Sequence, residues 1–68
     1  MLEFKQKREL EHPARLCIWE MYVRDPGRSL APKDLRRDMS PTEELRPSVS
    51  QVNYQLRRLQ LVGLIPER

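Results

Sequence analysis

The chain has 68 residues and a formal net charge of +3, the size of one small domain with a modest core and no room for a deep catalytic cleft. It has no apolar run of membrane-spanning length and no signal-peptide core at its start, so no membrane is expected and the expected location is cytoplasmic. Residues 46–68 hold four Lys/Arg against one Asp/Glu, so the excess charge sits at the C-terminal end, where it suits an anionic partner.

"LEFKQKRELE" offers only a thin apolar face of Leu2, Phe4 and Leu10. Residues 1–11 therefore read as an N-terminal arm or helical extension, and residues 12–68 as the domain proper. "HPARLCIWEMYVRDPG" predicts a helix from Pro13 to Val23. Pro13 suits the first helical position, where a missing N–H costs nothing. His12 beside it reads as the cap rather than as a ligand or base. Ala14, Ile18, Met21 and Tyr22 share one face, while Leu16, Trp19 and Val23 form a second apolar stripe. A helix apolar on two sides is buried on both or carries a partner. Leu16, Trp19 and Val23 are thus the candidate contact for a homodimer or a larger protein. Cys17, the only cysteine, reads as a small core hydrophobe.

A short extended piece is expected at 29–31, then a helix from Pro32 to Met39 anchored by Leu35 and Met39. "SPTEEL" has capping-box spacing in Ser40, Pro41 and Glu43, and predicts one short helical turn ended by Pro47. "SVSQ" repeats the box with Ser48 as cap and Gln51 three residues on; Ser50 is the alternative cap. The last helix spans 48–62, and Gly63 closes it in the left-handed conformation. "LIPER" reads as the start of a strand. The expected fold is all-α, with at most short strands: a three-helix, helix-turn-helix core with a long turn.

On the last helix Val49, Val52, Leu56 and Leu59 recur at spacings of three and four and form the expected buried stripe. Gln51, Tyr54 and Arg58 are expected roughly opposite, flanked by Ser50, Asn53 and Arg57. This polar face holds no Asp, Glu or Lys. Asn and Gln can pair bidentately with adenine in the major groove, and Arg with guanine or phosphate. Ser50, Gln51, Asn53 and Tyr54, near the helix start, are the candidate base readers, and Ser48 is a further candidate DNA contact. Arg57 and Arg58 are candidate backbone clamps. Lys33 and Arg46, near helix N-termini, are further candidate phosphate contacts. For Arg37 a solvated pairing with Asp34 and Asp38 is expected. No nucleophile–histidine pair, glycine-rich phosphate loop or metal-ligand spacing occurs, so neither an enzyme nor a cofactor or metal site is expected.

Two stretches carry a resemblance. In "HPARLCIWEMY", His12, Pro13, Arg15 and Ile18 follow the pattern His-Pro-x-Arg-x-x-Ile. In "VSQVNYQLRRLQLVGLI", Val52, Tyr54, Leu56, Leu59, Gly63 and Leu64 match Val-Ser-Tyr-His-Leu-x-x-Leu-x-x-x-Gly-Leu-Val, with Asn53 and Gln55 where Ser and His are common. Together they resemble ArsR-type winged helix-turn-helix regulators across residues 12–65. The resemblance implies a three-helix core, binding to double-stranded DNA, a role in transcription regulation and a homodimer. It does not extend to metal sensing, because "PKDLRRD" lacks the family's cysteines. With Arg68 as its last residue, the expectation is a trimmed or minimal form without a full wing or the C-terminal dimerisation helix. The alternative is a winged-helix-like protein-interaction module working through the apolar surface of helix 13–23.

Overall fold

The computed structural model describes residues 2–39 and 46–67. Within them the fold is all-α: α1 (Phe4–Glu9), α2 (Pro13–Arg24), α3 (Pro32–Met39) and α4 (Val49–Leu61). The expected turn over Ser40–Leu45 lies outside the described residues.

Local chemistry sets most boundaries. Pro13 opens α2, and the His12 side chain accepts a hydrogen bond from the Ala14 N–H through Nδ1 at 3.2 Å, so the histidine is the cap. Asp25, Pro26 and Gly27 end α2, with the Arg28 N–H closing a turn onto the Asp25 carbonyl at 3.1 Å. α4 starts where the Ser48 hydroxyl accepts from the Gln51 N–H at 3.1 Å. This satisfies one of the donors that a helix start leaves open, a contribution of about 1 kcal/mol.

The end of α4 departs from expectation. Gly63 adopts φ +79° as predicted. The Leu64 N–H then bonds back to the Leu59 carbonyl at 3.0 Å, and the Gly63 N–H to Gln60 at 3.1 Å. That pair is a Schellman motif, and Leu64 packs over Leu59 as such motifs favour. The chain is thrown inward, so Leu64 and Ile65 are core residues rather than the start of a strand. No strand forms among the described residues, at 29–31 or after Gly63.

The core is Ile18 of α2, Leu35 of α3, Val52, Leu56 and Leu59 of α4, and Leu64 and Ile65. Burying each such side chain contributes about 1.5–3 kcal/mol. Leu2, Leu10, Trp19, Met21, Tyr22, Leu30, Met39 and Val62 pack around it. α4 is the central helix and touches each of the other three. The N-terminal segment is packed: Leu2 and Leu10 reach the core, and α1 lies along the C-terminal half of α4.

The register of α4 also needs correction. Val49 is 43% exposed and stands outside the stripe, whereas Gln55 is only 5% exposed and occupies a core-side position. The buried arc is therefore Val52, Gln55, Leu56 and Leu59. The binary pattern missed Gln55 because it counts an amide as polar. The side chain fills a core-side position, and its Oε1 is buried there without a hydrogen-bond partner among the described residues.

Candidate nucleic-acid interface

With α4 turning about 100° per residue, the line opposite the buried arc runs through Ser50, Tyr54, Arg57 and Leu61, all exposed. Asn53 flanks it on one side and Gln51 on the other, also exposed. Ser48, whose hydroxyl is spent on the cap, sits exposed at the helix start. The sequence pattern had centred the polar face on Gln51, Tyr54 and Arg58. The structure moves the centre by part of a turn, because Gln55 widens the buried arc on the Gln51 and Arg58 side. The outward line also ends on Leu61, a leucine 77% exposed.

α4 carries no carboxylate along its whole length. What it presents is hydroxyls, amides, a phenol and a guanidinium, a set able to donate and accept at a base edge or donate to phosphate. Arg57 is exposed and makes no ion pair among the described residues.

Arg58 is placed differently. Its Nη2 donates to Glu9 Oε1 of α1 at 2.5 Å, and Arg15 Nη1 of α2 holds the other oxygen of the same carboxylate. Glu9 is thus clasped by two guanidiniums from two helices, with its side chain 13% exposed against 42% for Arg58. The bond from Glu9 raises the Arg58 pKa above its usual value, and Tyr54 adds to the effect. Gln6 completes the join: its Nε2 donates to the Val62 carbonyl at 2.9 Å while its Oε1 accepts from the Glu3 N–H at 3.0 Å. Neither Glu9 nor Gln6 stood out in the sequence. Their partners Arg58 and Val62 lie 49 and 56 positions away, and no local pattern encodes such a pairing. An open cleft of about 640 Å³ borders the clasp, lined by Lys5, Arg8, Glu11 and His12 among others.

The remaining candidates lie on the α3 side. Lys33 is exposed in the first turn of α3. Arg46 is half-buried and lines an apolar pocket of about 430 Å³ with Pro13, Cys17, Met39 and Pro47. Burial, and then the Glu20 carboxylate, push the Cys17 thiol pKa up, which suits an inert packing role. Arg37 pairs with Asp34 and Asp38 on the surface of α3, as expected. Arg36 donates from Nε to the Pro47 carbonyl at 2.8 Å and so fastens α3 to the residue before the α4 cap. The structure brings Ser48, Ser50, Gln51, Asn53, Tyr54 and Arg57 onto one continuous surface and leaves Arg58 at its edge.

On α2, Leu16 and Val23 are exposed at 36% and 53%, while Trp19 is packed against the core. No group of three His, Cys, Asp or Glu side chains that could hold a metal occurs among the described residues. No helix there is long and apolar enough to cross a membrane. Comparison with family models, with curated proteins and with solved structures found no match for this chain.

Proposed function

We propose that this chain is a double-stranded DNA-binding helix-turn-helix domain of the ArsR-like kind, a non-enzymatic transcription regulator of the cytoplasm, with α4 as its recognition helix. The observation that carries the reading is the outward surface of α4. Ser50, Gln51, Asn53, Tyr54 and Arg57 are all exposed there, on a helix without a single acidic side chain. Phosphate repels carboxylates, so a surface for DNA leaves them out. An ordinary solvated helix face mixes both signs, as α3 does with Lys33, Asp34, Arg37 and Asp38. In this reading the N-terminal half of α4 meets base edges, Arg57 holds phosphate, and Lys33 and Arg46 contribute from the flank.

The test is a selection from random duplexes at two salt concentrations. An enriched motif, with affinity falling steeply as salt rises, is the expected result. Weak binding indifferent to sequence and to salt rejects the reading. A second reading, docking of another protein or a second copy on α2, is favoured by the exposure of Leu16 and Val23. An NMR titration separates the two. DNA should shift residues 48–58, whereas shifts confined to 13–23 with a protein, and none with DNA, favour docking.

A further inference from the structure

We propose that Glu9 is an internal competitor for DNA phosphate: α1 is a latch that keeps Arg58 off the duplex. The inference rests on the DNA-binding reading of α4.

Arg58 lies on the α1 side of the outward surface, next to Gln51 and Tyr54 in helical projection. Its side chain is 42% exposed, and its head group is bonded to Glu9. A carboxylate and a phosphate present the same thing to a guanidinium, paired anionic oxygens for charge-assisted hydrogen bonds. The N–H that Arg58 Nη2 gives to Glu9 is not available to a phosphate, and the bond fixes the head group at α1. Glu9 is retained by a second bond to Arg15, so it is a positioned rival rather than a passing surface partner.

The rest of α1 is lightly held, as a latch must be. It has six residues and none of them is buried. A helix this short does not persist by itself in water. It stays in place through the Glu9 clasp, the Gln6 bond to the Val62 carbonyl and the flanking Leu2 and Leu10. Releasing Arg58 therefore requires a change at the edge of the fold and none in the buried residues of α2, α3 or α4.

The test uses the full chain and a short mixed-sequence duplex, with binding measured by fluorescence anisotropy between about 50 and 200 mM salt. Glu9→Gln is expected to bind about 3- to 10-fold more tightly and to steepen the slope of log K against log salt by about 0.9, the value of one added phosphate contact. Glu11→Gln removes the same charge from the same cleft, where Glu11 makes no ion pair among the described residues. It should change affinity less and leave the slope unaltered. Gln6→Ala loosens α1 with no change of charge, and should move affinity in the same direction as Glu9→Gln. Adding Arg58→Ala to Glu9→Gln should abolish the gain. Circular dichroism confirms that each variant is helical, and Gln6→Ala carries the test if Glu9→Gln is not. Equal effects of Glu9→Gln and Glu11→Gln overturn the latch and leave the DNA reading standing. So does a folded Glu9→Gln that binds more weakly, since Glu9 would then be orienting Arg58 for DNA. Absence of duplex binding by every variant overturns both.

Discussion

Arg36 Nε and the Pro47 carbonyl oxygen meet at 2.8 Å. This bond joins the middle of α3 to the last residue before the Ser48 cap, alongside the core packing of Leu35 with α4. The donor is charged and the acceptor neutral, a class of bond worth about 1.5–3 kcal/mol. Arg36→Ala should lower the melting temperature by roughly 4–8 °C for each kcal/mol lost. It should also weaken DNA binding to all sequences alike, because presentation changes and the reading side chains do not. An unchanged melting temperature would show that the bond does not hold the two helices.

Two valines on α4 should behave oppositely. Val52 is fully buried and Val49 is 43% exposed. Val52→Ala should cost about 1–3 kcal/mol, a transfer loss plus a small cavity. Val49→Ala should be near neutral, since little is unburied and alanine favours helix. Chemical denaturation of the two variants measures both. Equal losses would return Val49 to the buried stripe and undo the corrected register.

Asp38 gives an acid-side prediction. Its hydrogen bonds to Arg28, and then to Arg37, hold its pKa below the ordinary value of 3.8. The folded state therefore releases this proton more readily than the unfolded chain. The stabilisation is present above the ordinary aspartate value and is lost as pH falls through the lowered one. Asp38→Asn should be the less stable form at neutral pH, and the two melting curves should converge in strong acid. The carboxylate is 41% exposed, so salt should shrink the difference. A gap that persists unchanged at the lowest pH would rule out this pairing as its source.

Asn53 and Arg57 should separate reading from holding. Asn53→Ala should cost about 1–3 kcal/mol on the preferred site and relax base preference there. Arg57→Ala should weaken every duplex similarly and reduce the salt slope by about one contact. Competition assays with matched and mismatched duplexes check both. If both variants bind as the wild type does, the α4 surface is not the DNA contact.

The helices were legible because their signals are local. Pro13, Pro32, Ser48 and Gly63 each act on their own backbone, and the structure has a boundary at each. The face of α4 was legible only in part. A period of three and four cannot tell whether Val49 in the first turn or Gln55 in the middle takes the buried place. What decides is which neighbours arrive there, α1 among them. The Glu9 clasp was illegible altogether, because it joins three helices and nothing in α1 by itself distinguishes Glu9 from Glu3 or Glu11. The inward turn after Gly63 lay in between. The glycine announced that the helix stops, and left open whether an extended strand or a core-filling tail comes next.

That tail has a consequence for synthesis. Ile65 is fully enclosed, and the core it belongs to also draws on α2, α3 and α4. Ribosomes deliver the chain from the N-terminus at about 5–20 residues per second, so Leu64 and Ile65 emerge after every helix that they plug. Until they leave the exit tunnel, the core that they share with Ile18, Leu35 and Leu59 is unfinished, and a chain stalled short of them exposes apolar surface to chaperones and proteases. Stalling the nascent chain before and after residue 65 clears the tunnel should therefore give two states of sharply different protease resistance.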